Sequence, residues 1–248
     1  MPTALLLTRR VAASLLLGLG ATFAAHATTT GSGRVATETR QLSGFSAIAL
    51  RGNIDLVVRQ AAREAVQVSA EDNLLPLVQT TLEGGSDPQR TLRIEWKNGE
   101  SVRSTKPVVV TVDLIRLSAL SAAGSGDITV EPLRTPSLSL SIAGSSDAKL
   151  KQLDADQFHL SVAGSGDVHA AGKATRLEIS IAGSGNVRAR ELVAHDASVS
   201  IAGSGNAGVN ATKTLAVSIA GSGDVDYTGG AALMRNRIAG SGTVRQRP

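Results

Sequence analysis

The sequence predicts an all-β fold: a single-stranded, right-handed parallel β-helix (β-solenoid) of about seven regular 19–20-residue coils behind an irregular N-terminal cap. Three observations predict it. The phrase Ala-Gly-Ser-Gly-Asp/Asn recurs with its first glycine at Gly124, Gly144, Gly164, Gly183, Gly203, Gly221 and Gly240, at intervals of 20, 20, 19, 20, 18 and 19 residues. Upstream of each copy apolar residues alternate with polar ones, as in Leu138, Leu140, Ile142 or Leu177, Ile179, Ile181, which is the pattern of a half-buried strand. The 248 residues are 42% hydrophobic but only 2% aromatic, so the core must be built from thin aliphatic layers. A unit this short cannot bury its inner face alone, whereas stacked units share one continuous core. A leucine-rich repeat would need convex-side leucines that are missing here, and a propeller blade needs about 40 residues.

The first 27 residues read as a signal peptide rather than as fold. Arg9 and Arg10 form a basic start, Val11 to Ala25 an apolar run of 15 residues, and Ala25-His26-Ala27 a small-x-small cleavage site. That run is shorter than the ~20 residues a membrane span needs, so no transmembrane segment is expected once the leader is cleaved after Ala27. Thr8-Arg9-Arg10 also admits export by the twin-arginine route. Residues 28–248 then form one domain, with irregular first coils and cap over 28–116 and the regular repeats over 117–248.

Within the cap segment, strands are expected at Phe45 to Leu50, Ile54 to Val58, Ala65 to Ser69, Thr91 to Trp96 and Val108 to Leu114. Asp72-Asn73 before Leu74-Leu75-Pro76 predicts a short capped helical turn. The stretches from Gly84 to Pro88 and from Lys97 to Gly99 predict loops. In the repeats, the corner glycines supply positive φ. The motif closes on Asp127, Asp147, Asp167, Asn186, Asn206, Asp224 or Thr243, and the Asp and Asn residues are expected to tolerate a left-handed conformation and to bond to nearby backbone as an Asx turn.

Composition excludes several chemistries. Without cysteine there is no disulfide scaffold, thiolate metal site, catalytic thiol or lipidated N-terminus. The net charge of +4 falls to +2 with the leader's two arginines, too diffuse a field for nucleic acid, which is not an expected partner. Arg235, Arg237, Arg245 and Arg247 cluster near the C-terminus, where they read as a solvated basic end or as a contact for an anionic cell surface.

Taken together, Gly52-Asn53-Ile54-Asp55-Leu56, Glu71-Asp72-Asn73-Leu74-Leu75-Pro76, Leu82-Glu83-Gly84-Gly85, Thr91-Leu92-Arg93-Ile94 and the Ala-Gly-Ser-Gly-Asp repeats resemble the putative auto-transporter adhesin, head GIN domain family over most of residues 28–248. The resemblance implies a bacterial envelope or secreted protein with a β-helical fold and an adhesive role, and it carries over no catalytic residue. Self-transport needs a C-terminal membrane barrel of at least eight strands. The repeats run to Pro248, so no such barrel is expected in these residues.

The candidate sites are three. Asp127, Asp147, Asp167 and Asp224 would stack on successive coils as a line of oxygen ligands for calcium, though Asn186 and Asn206 interrupt the line and favour a structural turn; no metal or other cofactor is expected. Ser121, Ser141, Ser161, Ser180, Ser200 and Ser218 share one outward position and predict a flat hydroxyl ladder. The ladder is either a binding face for a cell-surface polymer or protein, or a soluble β face whose hydroxyls bond to one another. An enzyme on this scaffold would need charged or aromatic residues from neighbouring coils converging in a groove. Asp154 with Asp156, and Asp224 with Asp226, are two apart, while His159, His169 and His195 fall in different repeats, and no catalytic residue is expected. The expected function is an exported, non-enzymatic binding module, with a carbohydrate-active enzyme or a structural envelope protein as the alternatives.

Overall fold

The computed structural model describes residues 28–86 and 90–248. The leader, its cleavage site and the end of the Gly84 to Pro88 loop therefore lie outside the described residues. The fold is a β-solenoid of about six turns, one fewer than the repeats suggest, because seven glycine turns bound six complete coils. The regular part comprises β10 (Ala119–Gly124), β11 (Ile128–Val130), β12 (Leu133–Gly144), β13 (Ala148–Gly164), β14 (Val168–Gly183), β15 (Asn186–Gly203), β16 (Asn206–Gly221), β17 (Asp224–Thr228), β18 (Ala232–Gly240) and β19 (Thr243–Gln246). Each pairs in parallel with the equivalent stretch of the next coil, and the turn glycines align from Gly124 to Gly240.

Burial shows the cross-section. In the coil from Val168 to Gly183 the buried positions are Val168 and Ala170, then Ala174, then Leu177, Ile179 and Ile181. The phase of the alternation resets at two corners as well as at the glycine turn, so each coil has three faces. Face A leads into the glycine turn, face B follows it, and face C closes the coil. Inward side chains stack in columns such as Ile142, Val162, Ile181, Ile201 and Ile219, and these columns form one aliphatic core. Phe158 and Tyr227 are the aromatic residues of the regular coils, and both point inward.

The glycine turn is where coils approach most closely. A Cβ on Gly164 would sit 2.2 Å from the carbonyl oxygen of Gly144, and its φ of +131° is a region that side chains disfavour. All positive φ values belong to glycine, so the residue closing each motif is not left-handed as the sequence suggests. The serine after the first glycine donates its amide to the glycine carbonyl of the coil before, as Ser165 does to Gly144 at 2.9 Å.

The N-terminal segment holds β1 (Thr28–Thr30), β2 (Val35–Arg40), β3 (Phe45–Gly52), β4 (Asp55–Gln60), β5 (Ala65–Glu71), β6 (Val78–Glu83), β7 (Arg90–Trp96), β8 (Ser101–Arg103) and β9 (Val109–Leu114). It is more regular than its sequence suggests at one point. β3 and β4 form a coil whose Gly52-Asn53-Ile54-Asp55 turn stacks directly under Gly124 to Asp127, an eighth copy of the motif. Beyond it β7 and β9 still run parallel to β3 and β4, but β6 lies antiparallel on β7, β5 on β9 and β2 on β5. The change of strand direction ends the solenoid and covers its core. Trp96 rests on the Gly52 turn and donates its indole N–H to the side-chain oxygen of Asn53 at 2.8 Å.

The helical turn is a 3₁₀ turn, Leu75–Leu77, but it begins at Leu74 with no side-chain cap. Asp72 is occupied elsewhere, with Ser32 and the Asn73 amide. Glu71, which the sequence offers only as part of the Glu71-to-Pro76 run, is fully buried and binds three segments together. It accepts from the Gly33 amide at 2.8 Å, from the Thr105 amide at 2.9 Å and from the Thr105 hydroxyl at 2.5 Å.

Two outcomes are expected. Gly164→Ala adds steric overlap and a disfavoured φ, together costing about 3–5 kcal/mol, so thermal unfolding by circular dichroism drops by roughly 10 °C; an unchanged melt would show that the turn can widen. The Thr105 hydroxyl bond, which outweighs burial, together with amide bonds from Thr105, Gly33 and Lys106, holds the Glu71 carboxyl below the usual carboxylate range. A depressed value means that stability is present above the unfolded pKa of about 4.3 and lost as pH falls through the folded value. Trp96 fluorescence, from the only tryptophan, should report loss of cap packing on acidification. Glu71→Gln should lower the melting point at pH 7 and flatten that acid response.

Candidate functional site

Face A carries the serine ladder. Ser121, Ser141, Ser161, Ser180, Ser200 and Ser218 lie in register on consecutive coils and are exposed, with Ala49 below the first and Arg237 above the last. Beside it runs a column of alanines from Ala123 to Ala239, and on the other side stands the His159–Glu178 pair at 2.9 Å. The hydroxyls do not bond along the ladder. Ser121 reaches the Ile48 carbonyl at 3.5 Å, and the other five make no hydrogen bond with described residues. The face is flat, small and unsatisfied, which leaves its hydroxyls to water or a ligand.

The acidic and amide residues at the motif ends make a second ladder. Their bonds run to the next coil and not locally: Asp55 accepts from the Asp127 amide at 2.9 Å, Asp147 from that of Asp167 at 2.8 Å, Asn206 from that of Asp224 at 3.0 Å and Asp224 from that of Thr243 at 2.9 Å. Between the aspartates, Asn186 donates its side-chain N–H to Asp167 at 2.9 Å and Asn206 does the same to Asn186 at 3.0 Å. Asp127, Asp147 and Asp167 follow one another on successive coils, and Asn186 and Asn206 separate Asp167 from Asp224. Arg188 neutralises Asp167 at 3.0 Å and Arg245 neutralises Asp224 at 2.8 Å. Among the described residues, no group of three His, Asp or Glu side chains is placed to hold a metal ion.

Among the described residues the two larger grooves lie where the repeat is short, and a smaller hollow of about 320 Å³ lies along Asp127, Asp147 and Asp167. One groove of about 590 Å³ lies over Gly208, in the 18-residue coil, and is closed by internal contacts: Arg190 crosses Gly208 to pair with Asp226 at 2.8 Å, and His169 meets Glu191 at 3.5 Å. Arg190, Glu191 and Leu192 are the residues for which the short coil has no counterpart. The other, about 870 Å³, lies on face C at the 19-residue coil, where Gly172 to Thr175 follow a corner one residue shorter than those at Lys151–Gln152 and Ala189–Arg190 on the flanking coils. It brings together Asp154, Asp156, Lys173 and His195, and a smaller hollow continues it to Arg134. Lys173 and Arg134 approach Asp154 at 3.3 and 3.8 Å. The sequence pairs Asp154 with Asp156 but does not link either to His195; the stacking register does, since Asp156, Thr175 and His195 occupy one column. Asp226, by contrast, belongs to the ion pairs with Arg190 and Arg247.

The four arginines near the C-terminus divide. Arg245 and Arg247 pair with Asp224 and Asp226, while Arg235 and Arg237 project from β18, whose outer edge carries no strand among the described residues. Met234 forms a bulge there and is 70% exposed.

Electrostatics make one turn position testable. Burial pushes the Asp127 carboxyl up, and the charges of Asp55 and Asp147 on the flanking coils push the same way. A raised value means that its stability contribution is full below the unfolded pKa and lost as pH rises through the folded one. Asp127→Asn is expected to raise the melting temperature at pH 7 by a few degrees, with the gain gone near pH 3, below the carboxylate range. A lower melting point at pH 7 would mean that the charge is stabilising.

Known proteins place the chain. Solved structures with the same fold include a putative adhesin from Parabacteroides distasonis, at 25% identity over 89% of this chain and all of that one with a TM-score of 0.70. A putative adhesin from Bacteroides fragilis matches at 23% identity over 88% of this chain and all of that one, with a TM-score of 0.76. A putative lipid binding protein from Parabacteroides distasonis matches at 24% identity over 90% of this chain and all of that one, with a TM-score of 0.70. No curated protein is a significant match. Among the described residues no helix is long and apolar enough to cross a membrane. Residues 44–231, from the Gly52 coil through the last buried coil, match one family, and the chain belongs to it: putative auto-transporter adhesin, head GIN domain.

Proposed function

We propose that the protein is an exported, non-enzymatic binding module that attaches to a polymer or protein of a cell surface through face A. The observation that carries this reading is the ladder from Ser121 to Ser218, five of whose six hydroxyls make no hydrogen bond with described residues. A flat array repeating every ~4.8 Å suits an extended, periodic partner better than a small molecule, which favours an enclosed concave site. Membership of an adhesin family supports the surface role, and the leader pattern in the first 27 residues supports export. A carbohydrate-active enzyme is the second reading, favoured by the groove that joins Asp154 and Asp156 to His195.

Binding of labelled protein to intact bacterial cells tests the first reading. Saturable binding is expected, and Ser161→Glu with Ser180→Glu should weaken it at least tenfold while the melting temperature is kept. Equal binding by the double variant would remove face A from the contact.

A further inference from the structure

We infer that the face C groove is a binding site for a neutral glycan lying along the solenoid axis, a reading that rests on the chain being a binding module. Two outward columns form it. Arg134, Asp154, Lys173 and Val193 succeed one another on four coils, and Asp156, Thr175 and His195 stand beside them. Four stacked coils give a track of about 15 Å, enough for several linked sugar units.

The chemistry of the lining selects the ligand. The charges of Arg134 and Lys173 cancel those of Asp154 and Asp156, so the groove sets up no net field for an ion. In the Gly208 groove the polar groups are spent on one another. Here the side chains of Asp156, His195, Gln152 and Thr175 make no hydrogen bond or ion pair with described residues. A carboxylate accepts from two adjacent hydroxyls, while the amide, imidazole and Thr175 hydroxyl both donate and accept. A polyol is the ligand that uses both capacities without bringing charge. Val193, 42% exposed, offers an apolar contact for the C–H face of a sugar ring. Ordered hydrogen-bond donors and acceptors without an aromatic platform favour weak, specific binding of a chain over tight binding of one unit.

Native electrophoresis of the protein through gels containing mannan, xylan, β-glucan or galactan, against gels with alginate or no polymer, tests the inference. At least one neutral polymer should retard the protein, and alginate should not. Asp156→Ala and His195→Ala should each weaken the retardation at least tenfold, whereas Lys149→Ala on face B should leave it intact; thermal melts confirm that each variant is folded. Asp156→Asn, which keeps one acceptor, should fall between. Retardation by none of the neutral polymers, or retardation insensitive to Asp156 and His195, overturns the inference. New reducing ends, released by the wild type and lost in Asp156→Asn, overturn it too, in favour of catalysis. Parallel binding to cells separates the two readings: wild type and Asp156→Ala binding cells alike without polymer retardation removes the groove and keeps the binding module, while binding to neither removes both.

Discussion

The close approach of backbones at the stacked glycine turns sets the terms for everything else. Each first glycine from Gly124 to Gly240 places its α-carbon so near the carbonyl of the turn below that a Cβ would fall 2.0–2.6 Å from that oxygen. Only at this spacing does the next serine amide reach the same carbonyl, and only then do the ends of the motif bond from coil to coil. Register is fixed there, so alternation along the strands sends every aliphatic column inward together. Flatness of face A follows from the same constraint, because identical backbone positions repeat at one spacing.

This origin explains what could be read from the residues alone. Seven turns share spelling, so Gly124 to Gly240 and the serine ladder are legible as a pattern. The Gly52 turn is spelled Gly-Asn-Ile-Asp, and Asp55 stands 72 residues from the aspartate it bonds, so it is recognised only once stacking is known. The cap is harder still. The antiparallel pairings join residues 8 to 48 apart and the Glu71 bonds residues 34 and 38 apart, separations for which no local periodicity exists. The Asp and Asn residues were legible as turn formers, but their partners are on other coils, where a local rule does not look.

The departures from regularity carry the most individual chemistry. A solenoid of equal coils would be smooth on all sides. Here the 19- and 18-residue intervals recede at a corner between longer neighbours, and the two larger grooves lie at those recesses. The interval series is visible in the sequence, yet it names no residues; the register does, by setting His195 above Thr175 and Asp156. The two recesses then part company by pairing. Over Gly208 the arginines and acids neutralise each other, whereas on face C several side chains have no partner among the described residues.

The two ends of the stack differ, and that difference gives the molecule a mechanical polarity. At the N-terminal end antiparallel strands and the Glu71 bonds clamp the chain, so a load applied there must shear several strands at once. At the other end β18 and β19 hold only to the coil below. Tension on the C-terminal side peels them bond by bond, and each further coil of about 19 residues releases about 65 Å of slack chain before the next is loaded. A solenoid built this way yields in steps from one end, dissipating force over many small ruptures before the load reaches its capped end.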